Sequence, residues 1–273
     1  MYRELLEVPD REIYPHIYKG IELPPRKNRP LVGILIGVSG SGKDRIMCEM
    51  VNQNLFRHIV TATSRLRRFK ALDKNNEEHL KKIADSALTR EQHNSILNSF
   101  EEQGLATVEP KNAYIWMRWR KPSEETEEIY YSNLREEYQL IENDVHNLNL
   151  YGLPKSSFTM SDNPLSIPVI RTEINGAMTL NSIIPQDEFQ IVNFAVLPDS
   201  LDQSQNEIIT RTSNLSQKEL ENRIQKNIED QEKYKDRTNF YIKNTRSEIN
   251  GQPGIEVTIN SLSQLTKDLL ETE

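Results

Sequence analysis

One stretch of the chain, LVGILIG at residues 31–37, is apolar at every position or glycine. An apolar run of strand length, with no alternation, predicts a strand buried on both faces of a parallel sheet. The segments FRHIVTAT (56–63), NAYIWMRW (112–119), IPVIRTEI (167–174), QIVNFAVLP (190–198), NFYIKN (239–244) and GIEVTI (254–259) read as further strands. Residues 73–104 turn helical and charged: Thr89 and Gln92 form a capping-box pair ahead of Ile96, Leu97 and Phe100, and Gly104 supplies a stop. EETEEIYYSNLREEYQLIE (124–142) is predicted helical for much of its length. LSQKELENRIQKNIEDQEKYKD opens with a second capping-box pair, Ser216 and Glu219, and predicts a long exposed helix. A terminal helix follows at 261–273, with Leu262, Leu265, Leu269 and Leu270 on one face. The prolines of ELPPRKNRP exclude helix and set residues 1–29 apart as an N-terminal extension. Strands alternating with helices predict an α/β fold, a mainly parallel sheet flanked by helices.

Composition narrows the class. The chain has 273 residues, 36% hydrophobic and 27% charged, with net charge -7, pI about 5.5 and mean hydropathy -0.68. An acidic balance argues against nucleic acid or an anionic membrane as partner. No apolar run has the length of a membrane span, and the acidic start MYRELLEVPDREIY is unlike a signal peptide. A single cysteine excludes an internal disulfide, and its setting, RIMCEMV, predicts a buried thiol at Cys48. The five histidines, His16, His58, His79, His93 and His146, lack metal-ligand spacing and read as structural or surface groups. A cytoplasmic globular protein is the expectation.

The chemistry is concentrated directly after the apolar run. Gly37, Val38, Ser39, Gly40, Ser41, Gly42 and Lys43 match G-x-x-x-x-G-K between a predicted strand and a predicted helix, the context in which that pattern cradles phosphate. Glycines let the backbone N–H groups turn inward around an anion, the helix N-terminus adds partial positive charge, and the lysine reaches the outer phosphates. Nucleotide binding is the expectation, as in a P-loop NTPase. The next position departs from the pattern: where a Ser or Thr hydroxyl serves Mg²⁺, this chain has Asp44.

From this loop onward the sequence resembles the guanylate kinase family, over about residues 30–246, with 69–129 aligning poorly. IVTATSRLRR is similar to the turn carrying two phosphate-gripping arginines, which fall on Arg65 and Arg68. LIENDVHNLNLYGLPKSS is similar to the segment with a guanine-reading glutamate and a Tyr-Gly pair: Glu142, Tyr151 and Gly152. VIRTEINGA resembles the strand ending in Asp-x-Asp-x-x-Gly, with Glu173 and Gly176 at its last acid and glycine. NEIITRTSNLSQKELENRI resembles the lid, placing Arg211 and Arg223 where lid arginines close on phosphates. YIKN resembles the strand leading to the adenine pocket, at Asn244.

The resemblance implies a domain over residues 30–260 with a charged helical insertion (69–113), an NMP-binding region (114–155) and a helical lid with its following helix (205–235). It implies ATP as phosphoryl donor, Mg²⁺ at an atypical site, and a nucleoside monophosphate, GMP, as acceptor. The ATP site would use Gly37, Ser39, Gly40, Ser41, Gly42, Lys43, Asp44 and Asn244, and Asp44 is the candidate metal ligand. The acceptor site would use Arg65, Arg68, Glu142, Tyr151, Glu173 and a tyrosine, either Tyr130 or Tyr114. Lys43, Arg65, Arg211 and Arg223 would carry the transfer.

Departures accompany the matches. The first acid of the Asp-x-Asp pair is Arg171, and two hydroxyl positions that help hold guanine are Ala62 and Leu153. MRWRKP adds Arg118, Arg120 and Lys121, a substitute acceptor-phosphate cluster or a basic edge strand. Asp44 and Arg171 suggest a compensating exchange. Either they pair in or beside the usual metal position, or Asp44 ligates Mg²⁺ while Arg171 meets phosphate. The altered positions also fit another class: a guanylate-kinase-like module that binds a nucleotide or a phosphorylated partner without transferring phosphate.

Overall fold

The computed structural model describes residues 9–38, 40–63, 66–87, 89–109, 115–116, 138–144, 149–154, 165–198, 225, 229, 232–233, 235–245, 248–249 and 252–272. They fall into two compact units, residues 1–59 with 160–273, and residues 60–159. Along the chain the first unit begins with β1 (Glu12–Tyr14), β2 (Ile17–Lys19), β3 (Leu31–Gly37), α1 (Lys43–Asn52) and β4 (Phe56–Ile59). The second holds β5 (Ala62–Thr63), β6 (Phe69–Ala71), α2 (Glu77–Asp85), α3 (Arg90–Glu102), β7 (Ala106–Val108), β8 (Ile115–Trp116), β9 (Tyr138–Asp144) and β10 (Asn149–Pro154). The chain then returns to the first with β11 (Ile167–Arg171), α4 (Ile174–Ile183), β12 (Gln190–Pro198), β13 (Phe240–Asn244), β14 (Glu248–Ile249), β15 (Gln252–Pro253) and α5 (Gly254–Glu271).

In the first unit the strands lie in the order β1-β2-β13-β12-β3-β11-β4. Strands β13, β12, β3, β11 and β4 are mutually parallel, and β2 adds antiparallel at the β13 side. This is an α/β, mainly parallel sheet with the loop-bearing strand β3 in the interior. Every residue of β3 is buried, as its unbroken apolar run requires. Leu35, Val192, Phe194 and Val169 meet Ile46, Met47 and Met50 of α1 and Ile255, Ile259 and Leu262 of α5 in one core. On α4, Ile174, Ala177 and Leu180 are buried, and Asn181 exchanges hydrogen bonds with Asn193 of β12. No helix among the described residues is long and apolar enough to cross a membrane.

Several expectations are revised. The N-terminal extension contains a hairpin, β1–β2, that continues the sheet, while residues 20–30 stay irregular as their prolines demand. GIEVTI is helix, the first turns of α5. Its β-branched residues favour strand locally, but Ile255, Ile259 and Leu262 bury at helical spacing, and Thr258 Oγ1 bonds back to Gly254 O (3.1 Å). YQLIE is strand: pairing of β9 with β10 overrides the helical preference of its acidic neighbourhood. FRHIVTAT divides into β4 of one unit and β5 of the other. Cys48 is exposed, lying on the face of α1 away from the buried Ile46, Met47 and Met50.

In the second unit β10 pairs antiparallel with β5 and β9, and β5 runs parallel to β8. The antiparallel pair β6–β7 and the two charged helices that connect its strands enclose a separate core of Ala71, Leu80, Ala84, Leu97, Phe100 and Ala106. The predicted capping box is present: Gln92 N donates to Thr89 Oγ1 (3.1 Å) and Thr89 N to Gln92 Oε1 (3.2 Å). Residues 205–235, assigned to the lid, lie outside the described residues apart from 225, 229, 232–233 and 235.

Candidate functional site

Strand β3 ends at Gly37 and α1 begins at Lys43, so the G-x-x-x-x-G-K loop joins a buried strand to a helix N-terminus at the C-terminal edge of the parallel sheet. Ligands of open α/β sheets bind at that edge. Gly42, the N-cap of α1, has φ 90 and contributes no side-chain cap. A Cβ there would overlap the Asn244 amide, so glycine is needed for both backbone and space. The first-turn N–H groups of α1 therefore have no capping side chain from Gly42.

Ser41 is the most telling residue of the loop. It is 1% exposed, and its Oγ has no hydrogen-bond partner. The hydroxyl lies 2.8 Å from where a Cβ on Gly37 would stand, so it faces the start of the loop. A buried hydroxyl without a partner carries a desolvation cost that a bound oxygen would relieve. Lys43 Nζ donates to the carbonyls of Gly37 and Val38, the latter at 3.1 Å, bending its charge over the loop.

Asn244, at the end of β13, braces the loop from the side. Its Nδ2 donates to Ser41 O (2.7 Å), the residue is 4% exposed, and its Oδ1 is unpartnered. Sequence reasoning assigned Asn244 to the nucleotide; its contact in the structure is with the loop itself. Its signal was only the late-strand resemblance.

Arg171 ends β11, in register with Leu35 of β3, and Arg171 Nη1 donates to Asp44 Oδ1. The pair predicted from two departures is thus formed, with side-chain exposures of 19% for Arg171 and 64% for Asp44. His58 of β4 belongs to the same electrostatic neighbourhood. Burial pushes its pKa down to about 4, Arg171 acts in the same direction, and Asp44 opposes. Sequence reasoning gave His58 no part in the site, because only the strand order β3-β11-β4 puts it beside Arg171.

Mg²⁺ takes a near-octahedral set of oxygens but draws only one or two carboxylates from a protein, with phosphate and water supplying the rest. Here the candidate carboxylate, Asp44, has its Oδ1 engaged by a guanidinium, so a divalent ion ligated by it would meet a positive charge already in place. Among the described residues no cluster of three or more His, Cys, Asp or Glu is placed to hold a metal.

The acceptor-side residues divide differently. Arg68 is exposed, and its backbone N–H is held by Glu109 Oε2 (3.1 Å). Its neighbour Arg67 is 4% exposed, donating to Glu109 O and to Asn98 Oδ1 (3.2 Å), a structural arginine beside the proposed functional one. The backbone of Glu142 on β9 stands opposite Tyr151 on β10, and Tyr151 opposite Thr63 on β5, so the β-strand register brings the proposed base-reading positions together. Ala62 and Leu153, which replace hydroxyls, are both fully buried. Glu173 is exposed at the start of α4. Ser39, Arg65, Tyr114, Tyr130, Arg211 and Arg223 lie outside the described residues, as do Arg118, Arg120 and Lys121.

No family model and no curated protein matches the sequence. Among solved structures, the chain is similar to guanylate kinase from Anaplasma phagocytophilum at 12% identity, over 90% of this chain and 89% of that one, with a TM-score of 0.48. It is also similar to TT1252 from Thermus thermophilus at 15% identity, over 89% of this chain and 99% of that one, with a TM-score of 0.40.

Proposed function

We propose that the chain is a nucleoside monophosphate kinase of the guanylate kinase type, transferring the γ-phosphoryl group of ATP to GMP. The observation that carries this reading is the loop after β3, whose buried Ser41 hydroxyl lacks a partner beside an uncapped helix start. In this reading the β- and γ-phosphates lie on residues 37–43, with Ser39, Gly40 and Ser41 around them and Lys43 as a point charge. Arg65, Arg68 and Tyr130 hold the acceptor phosphate, and Tyr151 and Glu173 are counted among the monophosphate-binding residues. Glu142 accepts from guanine N1–H and N2–H₂, a pair of donors that adenine does not present. An acceptor phosphate oxygen attacks the γ-phosphorus, the β–γ bridging bond breaks, and ADP leaves. Arg211 and Arg223 stabilise the equatorial charge as the bond order shifts. Alignment and electrostatics suffice for such a transfer, with no covalent enzyme intermediate.

A second reading, a nucleotide-binding module with little or no turnover, is favoured by the Asp44–Arg171 pair. Incubation with ATP, Mg²⁺ and each of GMP, dGMP, AMP and UMP, following ADP release, separates the two. Release with GMP alone is the outcome expected of the kinase. Silence with all four acceptors, together with measurable ATP or GMP binding, selects the module.

A further inference from the structure

We propose that Arg171, held by Asp44, takes the place of the divalent cation at the phosphate loop, so that the loop binds a nucleoside di- or triphosphate without Mg²⁺. The inference rests on the phosphate-loop reading above and concerns how that same site meets charge. Asp44 stands on the first turn of α1, next to Lys43, where a lone carboxylate would repel the phosphates and weaken the field of the helix start. The guanidinium on its Oδ1 cancels that charge, and the cradle keeps the positive potential of Lys43 and of α1.

Two features of the fold make Arg171 a fixed cation and not a wandering side chain. Its strand is locked to β3 by parallel pairing, Arg171 opposite Leu35, and the next residue continues the contact through Thr172 N to Leu35 O (3.1 Å). Its side chain is four-fifths buried and its Nη1 is anchored on Asp44. A guanidinium carries five N–H donors in a plane, a geometry suited to phosphate as well as to carboxylate. A divalent ion arriving here would have to displace that group from Asp44 or sit beside its like charge. The independent sign that the cradle awaits an oxygen-rich ligand is Ser41, whose buried Oγ is unpartnered and faces Gly37.

The test is calorimetric titration of the full chain with ADP, once in Mg²⁺ and once in EDTA. The expected dissociation constants agree within about threefold for the natural sequence. Arg171→Met leaves Asp44 unpaired beside the phosphates: its affinity in EDTA should fall by about tenfold or more, and Mg²⁺ should restore part of it. Lys43→Ala should lose binding in both buffers, locating the ligand at the loop. A loss of about tenfold in EDTA for the natural sequence overturns the proposal and leaves the phosphate-loop reading intact. No ADP binding in either buffer, or full binding by Lys43→Ala, overturns both. The comparison on the natural sequence decides the matter even where Arg171→Met fails to fold.

Discussion

Two helices of this protein begin in opposite ways. At α3 the start is closed by its own residues: Thr89 and Gln92 exchange hydrogen bonds between side chain and backbone. At α1 the corresponding residue is Gly42, with no side chain to offer, and beside it are a buried hydroxyl without a partner and a lysine bent over the loop. Glycine in place of a capping side chain costs roughly a few tenths of a kcal/mol, and a buried hydroxyl left unsatisfied about 1–3 kcal/mol. The core formed by Ile46, Met47 and Met50 keeps α1 in place despite those costs. On the reading proposed above, the helix start that serves only the fold is sealed and the one that serves a ligand is left open.

The sharpest way to break this comparison is to alter the open end. Lys43→Ala should weaken ADP binding by about a hundredfold, the loss of a charged phosphate contact, while circular dichroism stays unchanged. Gly42→Ala should cost about 2–3 kcal/mol in urea unfolding, because the added methyl meets the Asn244 amide at a positive φ. Gly104→Ala is the control: φ is 65, but nothing lies within 4 Å of the added Cβ, so only backbone strain of about 1 kcal/mol remains. Equal losses at the two glycines would show that Asn244 does not pack against the loop.

The same contrast explains what the sequence could disclose. The β3 run, the loop and the Thr89–Gln92 box were legible because each is local: a few neighbouring residues fix both pattern and physical cause. The Asp44–Arg171 pair was legible at long range only because two departures carried opposite charge. Asn244 as a brace and His58 as a neighbour of Arg171 were not, since both depend on strand order, which no local pattern encodes. The misreading of GIEVTI has a related origin. Six residues rich in β-branched side chains look like strand until burial at Ile255, Ile259 and Leu262 shows the longer period.

His58 offers the next smaller effect. Its folded pKa of about 4 lies below the ordinary 6.5, so the fold holds the neutral ring while the unfolded chain takes up a proton. Stability should therefore be complete above about pH 6.5 and decline as pH falls towards 4, by about 1–2 kcal/mol once partial exposure is discounted. Urea midpoints measured across that window should show the slope, and His58→Gln should flatten it. An unchanged slope in His58→Gln would assign the decline to other groups.

The smallest effects belong to the sealed end, and they are the ones that make the comparison a fair one. Thr89→Ala should destabilise the chain by about 1 kcal/mol, removing the acceptor for Gln92 N. Gln92→Ala removes the reciprocal bond to Thr89 N on an exposed surface, so about 0.5 kcal/mol is expected. Neither substitution should change ADP affinity, because neither residue belongs to the loop after β3. Urea unfolding and calorimetry on the same preparations read both quantities. If Thr89→Ala weakened ADP binding as much as it weakened the fold, the closed helix start would be coupled to the ligand after all. The distinction between a cap that serves stability and an open end that serves chemistry would then fail at the helix that defines it.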